Sequence, residues 1–363
     1  IMTNYGIIGC GMMGHEHLNN IALLEGTNIA TIYEPDCGMA ASALKVAPNA
    51  IIAQSIDDLL DVPNLDCLVI ASPNHCHMPQ MQQIAASRPL PLLVEKPLFT
   101  AIEDQSAILQ FAKTYASPVW VAMEYRYMPP IAALIKRAVD VTGGIKMLTI
   151  REHRFPFLKK IENWNRFNGK SGGTFVEKCC HFFDLMRLIL KSEPRRIMAS
   201  AGQDVNHLDE IYDGRPSDIL DNGYVIIDFE NGVRSMLELC MFAEGAEYQE
   251  EISAVGPKGK VEAKVPGPAR FWPSQLGVPP VPLLIESPRH PKGARQSEIT
   301  VDPVLLNAGD HNGATFYQHK GFLELVRGKR VAPEVTLEDG YKAVIMGQAA
   351  QQSAAEGRAI QFD

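Results

Sequence analysis

At 363 residues the chain is longer than one hydrophobic core usually fills, since single cores stop growing at roughly 250–300 residues, so two domains are expected. A composition of 46% hydrophobic and 21% charged residues fits a soluble globular protein and excludes a disordered one. A net charge of -8 excludes the broad basic face that nucleic acid or an anionic membrane attracts, and no apolar run reaches the roughly 20 residues of a bilayer span.

The chain opens on a strand, Tyr5 to Ile8, where a leader would show a basic and apolar segment. Its seven cysteines are odd in number and lack a framework spacing. A cytoplasmic protein with free thiols is expected. The strand runs into Gly9-Cys10-Gly11-Met12-Met13-Gly14 and then a helical pattern through Leu18, Ile21 and Leu24. In that order the first glycine allows a tight turn, the second admits a pyrophosphate, and the third lets helix and strand pack closely. The helix N-terminus then holds the phosphates of a dinucleotide.

The next strand, Ile29 to Tyr33, ends at Glu34, about 20 residues past Gly14, where a carboxylate bonds the ribose hydroxyls. Asp36 is the second candidate, and both could instead cap the following helix. A carboxylate there repels a 2′-phosphate, which favours NAD over NADP. Further strands follow at Leu68 to Ala71, Leu92 to Val94 and Val119 to Ala122, separated by helical stretches near 37–47, 78–86 and 101–116. That alternation predicts a doubly wound parallel sheet, an NAD-binding Rossmann domain over residues 1–124. Leu92 to Val94 ends on Glu95-Lys96-Pro97. A cation at that strand end borders the crevice where such sheets bind ligands, which makes Lys96 a candidate catalytic group.

Residues 125–363 read as an α+β domain for substrate binding and oligomerisation, built on a largely antiparallel open sheet. Strand-like runs lie at Met147–His153, Ile197–Ala201, Tyr224–Phe229, Val233–Met241, Glu250–Ala254 and Lys260–Ala263, several joined by turn signals such as Asn231-Gly232. Residues 265–312, rich in Pro and Gly, read as a long surface excursion. Helical periodicity returns at 315–326 and 337–355.

A helix opened by Gly172-Gly173 is predicted from Thr174 to about Leu190, apolar nearly all round and therefore buried. Glu177, His181 and Asp184 fall at i, i+4 and i+7 on one face of it. Burying three titratable groups costs several kcal/mol unless they pair or serve a site. The segment Lys146 to Lys178 is basic against an acidic chain, a solvated surface or else the receptor of an anionic substrate, with Arg151 and His153 directed at it. Trp164 and Asn165 are plausible sugar contacts. His75, Cys76, His77 and Cys179-Cys180-His181 lack metal-ligand spacing, so no metal is expected.

With the glycine loop, Glu95-Lys96-Pro97 and Gly172-Gly173…Glu177…His181…Asp184 in order, the chain resembles the glucose–fructose oxidoreductase, inositol dehydrogenase and rhizopine catabolism (Gfo/Idh/MocA) family. The resemblance extends through Ser72-Pro73-Asn74…His77, Arg126-Tyr127-Met128-Pro129, Gly143-Gly144-Ile145 and Asp339-Gly340. It implies hydride transfer between NAD(P) and a hydroxyl or ketone of a sugar, cyclitol or sugar-acid derivative. It matches Lys96 to the catalytic lysine, His181 to the catalytic histidine and Glu177 to a position usually held by aspartate. Cys179 stands where a glycine is usual. Ser72, Pro73, Asn74, His77, Glu95 and Lys96 would then border the cofactor, and Arg126, Arg151, His153 and Trp164 the substrate. His181 would act as base, Lys96 would stabilise the alkoxide, and Glu177 and Asp184 would orient the imidazole. A regulator that binds NAD and sugar without turnover, and an NAD-dependent glycosidase, are the alternatives. A homodimer or homotetramer is implied.

Overall fold

The computed structural model describes residues 2–363. Six parallel strands, β1 (Thr3–Ile8), β2 (Thr27–Tyr33), β3 (Ile51–Ala53), β4 (Cys67–Ile70), β5 (Leu92–Val94) and β6 (Val119–Val121), form one sheet in the order β3-β2-β1-β4-β5-β6. Strands β4, β5 and β6 are wholly buried, which is why they read as unbroken apolar runs. The sequence reading missed β3. It is three residues at the sheet edge, and its Ile51 is 56% exposed, so neither length nor burial marks it. The strand order reverses between β1 and β4, and ligands of open α/β sheets bind at the carboxyl ends beside such a reversal.

The second sheet has nine strands among the described residues. It uses β7 (Met147–His153), β8 (Pro194–Gly202), β11 (Asn222–Phe229), β12 (Arg234–Cys240), β13 (Glu250–Gly256), β14 (Gly259–Val265), β15 (Leu283–Pro288), β16 (Arg295–Glu298) and β17 (Ile360–Gln361), while β9 (Ile211–Tyr212) and β10 (Arg215–Pro216) make a separate ribbon. The order is β16-β15-β14-β13-β7-β12-β11-β8-β17, with β7 and β12 parallel and the other neighbours antiparallel. In β14 the alternation is plain: Gly259, Val261, Ala263 and Val265 are buried, while Lys260, Glu262 and Lys264 take the open face. Helices Pro129–Thr142 and Leu337–Glu356 cover the inner face, and Cys180–Leu190 packs against the latter.

Two expectations are corrected here. Residues 265–312 are more than a surface excursion, because they contribute β15 and β16; the strand β16 is exposed along its whole length, which removes the alternation that marks a strand. The helix expected from Thr174 to Leu190 comes in two pieces, Thr174–Glu177 and Cys180–Leu190, with a turn at Lys178 and Cys179.

The first core does not close within the first 124 residues. Phe322, Leu323 and Leu325 from the helix Ala314–Val326, with Val335, Ala343 and Val344, complete it. At Gly321 an added Cβ would lie 2.7 Å from the Trp120 ring, so the backbone of this helix rests directly on β6.

Candidate active site

A cleft of about 730 Å³ opens at the carboxyl ends of β1, β4 and β5 and continues between the two sheets' domains. Its first end is the glycine loop. Gly9 sits at φ +88°, and a Cβ there would lie 2.6 Å from the Ser72 nitrogen. Gly14 has the Gly9 carbonyl oxygen 2.2 Å from where its Cβ would be, which fixes the close approach of helix to strand. Gly11 has no neighbour within 4 Å on its Cβ side, leaving an open cradle at the N-cap of the helix Met12–Ile21. These are the three roles a pyrophosphate-binding loop needs. Met12 and Met13 line the same space, as do Ser72, Pro73 and Asn74.

Glu34 lines the cleft as well, its carboxylate fixed by the backbone N–H groups of Cys10 (2.6 Å) and Asp36 (2.9 Å). Asp36 caps the next helix by accepting the Met39 N–H, so its side chain is already engaged. His77 does not line the cleft. Its ring nitrogens lie 2.7 and 3.0 Å from the carbonyl oxygens of Pro97 and Ser72, so it ties together the loops that follow β4 and β5. Glu95 lines the cleft and bonds His17 at 2.8 Å, and His17 bonds His319 at 2.8 Å, a buried chain that runs back from the cleft wall.

Lys96, Glu177 and His181 meet in the cleft. The turn at Lys178 ends the first helical piece, and the Glu177 carbonyl there accepts a hydrogen bond from Lys96 Nζ at 2.9 Å. The His181 ring stacks on Tyr125, with centroids 4.0 Å apart and planes 11° from parallel. Burial, with Lys96, Lys178, His311 and Arg154 nearby, holds its imidazole well below the usual histidine range, so it is neutral. Burial pushes the Glu177 carboxyl up to about 7 despite Lys96, Lys160 and Arg154. Glu177 Oε2 and His181 Nδ1 are both buried without a hydrogen-bond partner among the described residues.

Glu177 therefore does not orient the imidazole, as the shared helix face had suggested, and neither does Asp184. The turn displaces one piece from the other, and Asp184 accepts a hydrogen bond from Arg126 Nε at 2.6 Å. Arg126 is spent on this pair, with Asp339 3.6 Å away, and lies outside the cleft. Arg151 and His153 are also outside it. They occupy the open face of β7 and pair with Glu238 at 2.9 Å each, while Glu152 between them points inward to Lys178 at 3.2 Å. Trp164 does line the cleft, its ring centroid 6.5 Å from that of His75. Asn165 is buried and donates to the Leu158 carbonyl.

The basic stretch divides: Arg154, Lys159, Lys160 and Lys178 line the cleft, while Lys146, Arg151 and Lys170 do not. Burial lowers the Lys160 ammonium's affinity for its proton, with Glu177 opposing. Sequence reasoning missed Glu124, Tyr125, Glu250 and His311, all in the lining, and took Lys178 only as the end of the basic run. For Glu124 a signal existed: it follows the apolar end of β6 as Glu95 and Lys96 follow β5.

Residues 3–123 fit the Gfo/Idh/MocA model described as an oxidoreductase family with an NAD-binding Rossmann fold, and residues 136–362 fit the same family's C-terminal alpha/beta domain. The chain belongs to the Gfo/Idh/MocA oxidoreductase family. It is 23% identical over 362 residues to the uncharacterized oxidoreductase YrbE of Bacillus subtilis, covering 99% of this chain and 96% of that one. It is 21% identical to a myo-inositol 2-dehydrogenase of Thermotoga maritima, covering 99% and 98%. A levoglucosan dehydrogenase solved with NADH shares the fold at a TM-score of 0.81 and 19% identity over the full length of both chains.

Proposed function

We propose that the protein is an NAD-dependent dehydrogenase that oxidises one hydroxyl of a cyclitol or sugar, with Lys96 and His181 as its catalytic residues. The observation that carries this reading is the meeting of Lys96, Glu177 and a neutral His181 in one cleft with a glycine loop. Gly9, Gly11, Met12, Met13 and Glu34 would hold NAD, which supplies the hydride acceptor. His181 takes the hydroxyl proton as the carbinol C–H bond breaks and the C=O bond forms. Lys96 donates a hydrogen bond to the same oxygen and stabilises its negative charge as the proton leaves. Glu177, largely protonated below neutral pH, offers Oε2 to a neighbouring substrate hydroxyl. Trp164 gives an apolar wall for a ring face.

Relatives named as inositol dehydrogenases support a cyclitol. A sugar acid is the second reading, favoured by Lys160, which lines the cleft with no side-chain hydrogen bond among the described residues. A panel of cyclitols, neutral sugars and sugar acids, followed by NADH absorbance, separates the two. Oxidation of the neutral members supports a cyclitol or sugar, exclusive oxidation of the acids supports the second reading, and no NADH from any member contradicts both. Pairing of two copies through the open sheet face, where Tyr224 and Ile226 are 54% and 43% exposed, belongs to the same proposal. Light scattering of the full chain tests it: a monomer contradicts the pairing.

A further inference from the structure

Glu124 stands at the carboxyl end of β6, fully buried and in the cleft lining, and the catalytic roles above leave it without a task. Its Oε2 lies 2.8 Å from Thr315 Oγ1, and the same hydroxyl lies 2.8 Å from Glu16 Oε1. A hydroxyl carries one proton, so it can donate to one of the two carboxyl groups and must accept from the other. Glu16 is the acceptor. It also receives His311 Nδ1–H at 2.8 Å and the Asp310 N–H at 3.1 Å. Three donors on one carboxylate leave Glu124 to supply the remaining proton, through Oε2.

Glu124 Oε1 then remains as the carbonyl oxygen of a neutral acid. It has no hydrogen-bond partner among the described residues, with His311 Nε2 3.6 Å away. A buried acceptor left unpaired in a cleft costs stability unless a ligand satisfies it. Glu16, Glu124 and His311 bring one ligand-type atom each within 4.8 Å. The three donors already on Glu16 make this a proton-sharing cluster.

We propose that Glu124 binds as a neutral carboxylic acid whose Oε1 accepts a hydrogen bond from an N–H or O–H donor held in the cleft, either the nicotinamide carboxamide or a substrate hydroxyl. The hydroxyl alternative rests on the dehydrogenase function proposed above; the carboxamide alternative needs NAD binding alone. Electrostatics support the protonated form. Burial, with Glu95 and Glu16 nearby, pushes the Glu124 carboxyl up to about 7 against the opposing pull of His311 and His17. Tyr125, Lys178, His181, Glu250 and Asp310 are further titratable groups in the cleft lining, with His181 stacked on Tyr125 and Lys178 bonded to its hydroxyl.

The test is NADH affinity by fluorescence titration at about pH 6 and about pH 8.5 for wild type, Glu124→Gln and Glu124→Leu, with KM for each polyol oxidised in the panel. Glutamine reproduces the protonated acid, with an N–H toward Thr315 and a carbonyl toward the cleft. Leucine reproduces neither. Glu124→Leu is expected to lose about tenfold, in NADH affinity if the donor is the carboxamide and in substrate KM if it is a hydroxyl. Glu124→Gln is expected to rescue that loss, and wild type is expected to weaken across neutral pH where the glutamine variant does not. Unfolding curves check that both variants fold. Should the leucine variant not fold, the pH comparison between wild type and Glu124→Gln decides alone. Three results would overturn the inference: Glu124→Gln as damaging as Glu124→Leu, Glu124→Leu harmless to both quantities, or one equivalent of Mn²⁺ bound by wild type and lost in Glu124→Gln. Loss of NADH affinity without oxidation of any polyol would leave the inference standing and remove the proposed substrate class.

Discussion

In the folded chain, burial holds a proton on Glu177 up to about pH 7, whereas an unperturbed glutamate releases it near 4.5. Between those values the native state binds a proton that the unfolded state has released, so this group's contribution to stability falls as pH rises from 4.5 to about 7. A glutamine there removes the cost of ionising a buried carboxyl. Glu177→Gln is expected to be more stable than wild type by about 1–3 kcal/mol at about pH 8, with the difference fading toward about pH 5. Thermal unfolding without cofactor at the two pH values checks this, and an equal or reversed difference counts against a buried, raised carboxyl. The same variant is expected to oxidise substrate more slowly, because stability and function conflict at a group placed for binding. Lys96 and His181 were legible from the sequence because each sits where a pattern makes it conspicuous, a strand end and a buried helix. Glu124 offered the same kind of signal just past β6 and it went unused, whereas His311, a single polar residue in a loop, carries no period. Arg151 and His153 were misread for a definite reason: a spacing of two puts both on one face of a strand, but not on a known one.

Along the glycine loop the three glycines differ in what they exclude, and that difference can be measured. Gly14 has the Gly9 carbonyl oxygen 2.2 Å from its Cβ position, so Gly14→Ala is expected to destabilise the fold by more than about 2 kcal/mol. Gly11 has nothing within 4 Å, so Gly11→Ala is expected to keep wild-type stability and lose NADH affinity by at least about tenfold. Thermal unfolding and NADH titration of the two variants check the pair. A Gly11→Ala protein that binds NADH normally would mean the cradle does not face the pyrophosphate. The loop was readable because close backbone approach demands glycine at positions 9 and 14, and the spacing then marks Gly11 as the open cradle. The turn at Lys178 and Cys179 was not: its apolar residues continue a helical period unbroken, and the interruption shows in the Glu177 carbonyl that Lys96 holds.

For the molecule as a whole, the alternation of strands and helices was enough to reveal two architectures, but not that the first core borrows from the end of the chain. Phe322, Val335 and Val344 complete the packing around β5 and β6, contacts far apart in sequence that no local pattern records. A fragment of residues 1–124 is therefore expected to lack a cooperative unfolding transition; a sharp transition would show that the core closes by itself. The same long-range closure sets the cleft, bringing Lys96 against a helix 81 residues downstream. The most direct measurement of the central claim is single-turnover NADH formation with the best polyol of the panel, for wild type, Lys96→Met and His181→Ala, with NAD affinity measured alongside. Both variants are expected to lose at least about 100-fold in rate while binding NAD within about threefold of wild type. Wild-type rates in either variant would contradict it.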